Sequence, residues 1–174
     1  MAPPLVVLRG AAGYGRWAAA ATRNAHFLSS IPMKKRGVDG FLPKDYFDNK
    51  TVVVYFSAGW CGSCKFLTPK LKKFYDAVKS SPSNNLEIVW VSKDKEADHQ
   101  IEYYEKNLPA WPYIPFGDEN IQKLGEKYKA VVIPVLKLID ESGEVRHDRV
   151  RADVEAAIKA DPAKTFEEWK KLIQ

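Results

Sequence analysis

The stretch "TVVVYFSAGWCGSCKFLTP" (residues 51–69) joins three features: a strand-like run, two cysteines three residues apart, and the start of a helix-like run. Thr51 to Ser57 is β-branched and aromatic with no polar alternation, as in a strand buried on both faces. Beyond the cysteines, Leu67, Leu71, Phe74, Tyr75 and Val78 follow helical spacing, which predicts an amphipathic helix from Cys61 to about Ser80. "SSPSNN" (80–85) ends it with turn residues, and "LEIVWVS" (86–92) repeats the buried-strand pattern. Strand, helix, strand is a crossover unit, so the first two strands must run parallel.

The rest of the chain extends this α/β plan. A second helix is expected over Glu96–Asn107, and the proline-rich "LPAWPYIPF" after it is expected to pack over the sheet edge. A third helix is expected over Glu119–Tyr128. After Pro134, "VLKLID" reads as a strand, "ESG" as a turn and "EVRHDRV" as the antiparallel mate. A terminal helical segment, broken near Asp161–Pro162, is expected to lay Phe166, Trp169 and Leu172 against the sheet. The predicted architecture is a three-layer α/β domain: a central mixed β-sheet with helices on both faces.

Charge divides the chain. The formal net charge is +5, from 27 bases and 22 acids. Six of the bases lie in residues 1–36, where there is no acid, which leaves 21 bases against 22 acids in residues 37–174. The body is therefore nearly neutral and presents no nucleic-acid footprint. The front end is alanine-rich and acid-free, with Arg9, Arg16 and Arg23 recurring every seven residues. That is the composition of a mitochondrial presequence, and it places the protein in mitochondria, most readily the matrix. The alternative is a basic N-terminal extension. Cleavage is expected between Phe27 and Gly37, with residues 37–174 as the folded domain. Neither "PLVVL" nor "AAAA" approaches the ~20 apolar residues of a membrane span.

Two cysteines so close together cannot staple a fold, because the loop they close is too short. Their chemistry matters more. Cys61 falls where the strand gives way to the helix, and unpaired N–H groups there favour a thiolate. Cys64 lies one turn further along, on the same side. Cys61 would attack a disulfide and Cys64 would resolve the mixed disulfide. Trp60 would roof the pair, and Lys65 would add positive charge. Two other readings stand beside this one, an inert buried pair and half of a zinc site. The chain's histidines, His26, His99 and His147, offer no His-x₃₋₅-His partner for zinc. No cofactor is called for, and no glycine-rich phosphate loop is present.

The residues resemble the thioredoxin superfamily, and within it the nucleoredoxin and tryparedoxin branch. "VVVYFSAGWCGSCKFLTPKLKKFY", "SKDKEADHQIEYYEKNLPAWPYIPF" and "VVIPVLKLID…SGEV" follow that branch's motifs in order over about residues 50–150. The resemblance implies a nucleophile at Cys61, a resolving thiol at Cys64 and a flanking Trp60. It also implies a helix-kinking Pro69, a cis-proline pair at Ile133–Pro134 and a substrate-side Arg151. The backbone before that proline would pair with an extended client segment.

Three stretches differ from related patterns. Tyr55 stands where thioredoxins proper bury an aspartate, as in the tryparedoxin branch. Gly62 and Ser63 separate the cysteines, which puts a hydroxyl near the thiols. Lys93, Asp94 and Lys95 replace Trp-Asp-Glu, so a trypanothione-type reductant is not carried over. Asp94, Asp98 and Glu102 read as a solvated helix face, and His99 and His147 as surface residues.

The expected activity is thiol–disulfide exchange that reduces protein disulfides, with electrons from a thiol reductant. The alternative is an accessory subunit of a large mitochondrial complex that uses the fold as a scaffold.

Overall fold

The computed structural model describes residues 25–174. The expectations for residues 1–24, including all three presequence arginines, lie outside the described part. A 3₁₀ turn (Phe27–Ser30) precedes β1 (Thr51–Ser57), α1 (Gly62–Lys79), β2 (Leu86–Ser92), α2 (Ala97–Asn107) and α3 (Glu119–Lys127). Then come β3 (Val135–Ile139), β4 (Val145–His147), α4 (Val150–Ala157) and α5 (Pro162–Leu172).

The sheet order is β2-β1-β3-β4. β1 runs parallel to β2 and antiparallel to β3, and β3 pairs antiparallel with β4. Every residue of β1 is buried, because the sheet is covered on both sides. Val53 and Tyr55 face a core shared with α1, α2, α4 and α5. Val52, Val54 and Phe56 face α3 and the segment around Leu28–Met33. This is the three-layer mixed-sheet fold read from the sequence, with its catalytic candidates at the end of the central strand β1.

β2 is the last full strand, yet its edge is covered. Trp90 donates its backbone N–H to Pro112 O (2.8 Å), and Tyr113 bridges Trp90 on one side and Lys34 on the other. The proline-rich connection therefore does pack over the sheet edge. The Gln100 amide pins it by donating to Ile114 O (2.9 Å) and accepting from Phe116 N–H (2.9 Å).

Three expectations need correction. The strand expected from "EVRHDRV" is only three residues long, and Val150 opens α4 instead. Val150 and Val154, at i and i+4, are both fully buried, so a helical face wins over strand alternation. In α5, Phe166 and Trp169 are buried, but Leu172 is 45% exposed. Six residues at about 100° each turn Leu172 some 120° away from Phe166. The helix packs on α1, with the Phe74 and Trp169 rings 5.0 Å apart, and also meets the sheet at β4.

The third correction moves the domain edge. Leu28 and Met33 are core residues, Phe27 N–H donates to Glu141 O (2.7 Å), and Lys35 reaches the buried Glu87 (3.2 Å). Glu87 also accepts from the hydroxyls of Tyr46 (2.5 Å) and Tyr75 (3.3 Å). Residues 26–36, set outside the domain by their charge, belong to the packed body.

Candidate active site

The end of β1 is anchored before the chain turns. Lys93 N–H donates to Ser57 O (2.9 Å), and the Trp90 indole donates to Ser57 Oγ (2.7 Å). The next turn is held by Asp94, whose carboxylate accepts Gly59 N–H (2.9 Å) and the Ser92 hydroxyl (2.7 Å). A Cβ on Gly59 would come within 3.1 Å of Tyr103 Cβ, so glycine lets the turn approach α2 closely.

Cys61 is the N-cap of α1. Its Sγ accepts the Cys64 backbone N–H at 3.2 Å, so the sulfur occupies the place an anion takes at a helix start. Cys61 and Cys64 are joined as a disulfide, with Cα atoms 5.2 Å apart. Cys61 is 5% exposed and Cys64 is fully enclosed, which sets an order: the first sulfur is at the mouth and the second behind it. Ser63 Oγ lies 3.9 Å from Cys61 Sγ.

β3 delivers the opposite wall. Val135 pairs with Phe56, and the Ile133–Pro134 peptide just before it is cis. The Ile133 carbonyl oxygen sits 3.8 Å from Cys61 Sγ, and the Ile133 side chain packs on the Ala58, Cys61 and Cys64 cluster. Val131 and Val132, 89% and 79% exposed, extend this wall into solvent.

Trp60 is 59% exposed, with its indole N–H donating to Lys93 O (3.1 Å) and the Lys95 ammonium 6.0 Å from its ring. It divides two hollows. One of about 440 Å³ is lined by Lys65, Asp94, His99, Glu102 and Tyr103 among others. The other, of about 610 Å³, runs between Trp60 and Ile133 over Lys93, Gly125 and Lys129.

Beneath Cys64 lies a hydroxyl cluster that sequence reasoning missed. Thr68 donates to Cys64 O (2.9 Å), and its oxygen also meets Tyr55 OH (3.0 Å) and Tyr103 OH (3.1 Å). Burial pushes the Tyr55 hydroxyl up to about 12 and raises that of Tyr103. Both stay neutral at physiological pH. Where thioredoxins proper carry a buried acid, this site carries neutral hydroxyls. The signal for Thr68 was its place four residues after Cys64, where a threonine can bond back to the i−4 carbonyl.

The remaining candidates separate. Arg151 does not join the disulfide cluster. It is half exposed on α4, its Nε is 3.7 Å from Glu155, and Glu155 also takes Lys70 (3.0 Å). Pro69 lies within α1, where it removes one helical hydrogen bond. Asp94 is not on a solvated helix face: it precedes α2 and is buried. His99 is exposed, whereas His147 is partly covered and meets Asp153 at 2.7 Å, which also accepts the Trp169 indole N–H (2.9 Å). No group of three His, Cys, Asp or Glu suited to a metal ion occurs among the described residues.

Comparison with known proteins agrees with this geometry. A family model described as thioredoxin-like matches residues 49–145. "Probable nucleoredoxin 1" of Arabidopsis thaliana is 34% identical over 125 residues, which cover 72% of this chain and 21% of that protein. The chain thus spans about a fifth of that relative. Tryparedoxin of Trypanosoma brucei brucei is 35% identical over 107 residues, covering 60% of this chain and 72% of that protein. Among solved structures, the thioredoxin of Wuchereria bancrofti superposes with a TM-score of 0.69 at 37% identity, covering 84% of this chain and 99% of that one. With a matched model over more than half its length, a mixed sheet of that type and a cysteine pair capping α1, the chain belongs to the thioredoxin-like oxidoreductase family.

Proposed function

We propose that the protein reduces disulfides in protein clients by dithiol exchange through Cys61 and Cys64. In the reduced form, the Cys61 thiolate attacks a client sulfur and one client thiolate leaves. Cys64, deprotonated, then attacks Cys61 Sγ, releasing the second client thiolate and closing the Cys61–Cys64 disulfide. Two electrons pass to the client, and two protons make its sulfurs thiols. An external thiol reductant, small or protein, must then reopen the pair. The Cys61–Cys64 disulfide corresponds to the oxidised end of this cycle.

The observation that carries the proposal is the Cys64 N–H donated to Cys61 Sγ at the start of α1. It stabilises negative charge on the attacking sulfur and on no other. Trp60 and the Ile133–Pro134 edge would receive the client, with the Ile133 backbone as a strand-like partner. Arg151, half exposed on α4 and paired with Glu155, would act on the periphery of a bound protein.

Reduction of insulin by the purified protein, with dithiothreitol as electron source, tests this. Cys61→Ser is expected to fall to the uncatalysed rate. Cys64→Ser is expected to trap a mixed disulfide visible by mass spectrometry. Full activity in Cys61→Ser would overturn the proposal.

The acid-free, arginine-spaced leader supports mitochondrial import as part of the same proposal. If it is removed, the packing of His26 to Arg36 favours a cut before His26 over one between Phe27 and Gly37.

A further inference from the structure

Lys93 is a partly buried lysine on the hollow that reaches Ile133, and among the described residues its ammonium has no ion pair. Its backbone is fixed twice, by Lys93 N–H to Ser57 O (2.9 Å) and by the Trp60 indole N–H to Lys93 O (3.1 Å). Its side chain crosses toward α3, where the ammonium lies 5.9 Å from the Phe56 ring centroid and against Gly125. A Cβ at Gly125 would meet Nζ at 2.6 Å, so this glycine makes the room the ammonium occupies. Among the described residues Nζ meets no carboxylate and no hydrogen-bond acceptor.

An ammonium without an ion pair is open to a carboxylate that a bound segment brings to it. Its place in the fold says which side the partner comes from. Lys93 lines the hollow of about 610 Å³ that opens between Trp60 and Ile133, and Ile133 is the residue that packs on the disulfide. Lys129 stands on the same hollow without an ion pair. The one carboxylate lining it, Glu126, accepts the Gln122 amide at 2.8 Å and keeps its charge, so two lysines against one carboxylate leave the hollow net positive. Lys95 adds charge at the Trp60 ring. The apolar faces of Trp60 and Val131 border it.

We infer that this hollow selects clients by charge: Lys93, with Lys129, takes a carboxylate side chain of the segment flanking the client's reactive cysteine. This rests on the disulfide-reductase reading and adds the class of client. The segment lies extended along Ile133, apolar side chains meet Trp60 and Val131, and an Asp or Glu reaches the Lys93 ammonium. Segments with Lys or Arg at that place are repelled by the same groups.

The test uses three disulfide peptides that are identical except for Glu, Gln or Lys beside the cysteine, with hydroxyethyl disulfide as a small uncharged control. For the wild-type protein, kcat/KM is expected to be about tenfold higher for the Glu than for the Lys peptide at low salt. That ratio should shrink at ~1 M salt, where screening acts within about 3 Å. Lys93→Gln is expected to reduce the ratio at least threefold, and Lys93→Glu to invert it, an outcome that loosened packing alone would not give. Redox-dead versions of the peptides, with serine for cysteine, should show the same order of affinity by fluorescence anisotropy.

Equal kcat/KM for the Glu and Lys peptides, with the uncharged control still turned over, would overturn the charge selection and leave the reductase reading intact. A ratio that Lys93→Glu does not move would do the same. Loss of turnover on every disulfide would instead overturn the reductase reading, and the serine peptides would then decide on the charge selection alone.

Discussion

Thr68 makes three contacts through one hydroxyl: it donates to Cys64 O and shares short contacts with Tyr55 OH and Tyr103 OH. Replacing it with valine keeps the shape and removes every one of these. Tyr103 OH then loses its bond, at roughly 1–3 kcal/mol for an unsatisfied group, while Tyr55 OH keeps Cys64 O at 3.5 Å. Thr68→Val is expected to lower the urea midpoint by a corresponding amount while the Cys61–Cys64 disulfide still closes, as a thiol titration would show. A midpoint unchanged from wild type would mean that the hydroxyls find water instead. At this scale the sequence was legible where chemistry and spacing coincide, as for the two cysteines, while the cis Ile133–Pro134 pair was legible only through the family resemblance. It was opaque where a residue's partner lies far along the chain. Asp94 looked like part of an acidic helix face, yet its carboxylate serves Gly59, 35 residues earlier. Nothing local marks such a pairing.

The segment before β1 shows the same division among elements. α1, α2 and α3 were legible because each carries its own periodic apolar face. The 3₁₀ turn at Phe27–Ser30 has no such period, and a basic composition disguised it as leader. It is capped by His26, whose Nδ1 accepts Leu28 N–H at 3.1 Å. That bond requires an unprotonated Nδ1. Burial lowers the His26 pKa from its ordinary 6.5, against the opposing pull of Glu141, Asp140 and Asp48. A lowered folded-state pKa contributes stability that is fully present above about pH 6.5 and is lost as pH falls through the folded value. His26→Asn keeps a capping oxygen and cannot titrate. Between pH 7.5 and 5 the wild type is expected to lose more stability than this variant in parallel thermal melts. Identical pH slopes would show that His26 does not titrate on unfolding.

For the whole molecule, β2 needs the N-terminal segment as much as the segment needs β2. Lys35, Tyr46 and Tyr75 converge on Glu87, which is 1% exposed, and Lys34 pairs with Tyr113 outside the β2 edge. A chain beginning at Gly37 would lose Leu28 and Met33 from one core, at about 1.5–3 kcal/mol each. It would also leave Glu87 without its cation, at roughly 3–5 kcal/mol for a broken buried pair. That total rivals the ~5–15 kcal/mol by which domains are stable. A chain beginning at Ala25 keeps all of these contacts. The shorter form is therefore expected to be unfolded or aggregated and the longer one to unfold cooperatively in urea with a midpoint near that of the full chain. Glu87→Gln in the shorter form removes the uncompensated charge and should recover part of the deficit. Equal midpoints for the two truncations would show that the core closes without residues 25–36, and would restore the domain edge to where composition first put it.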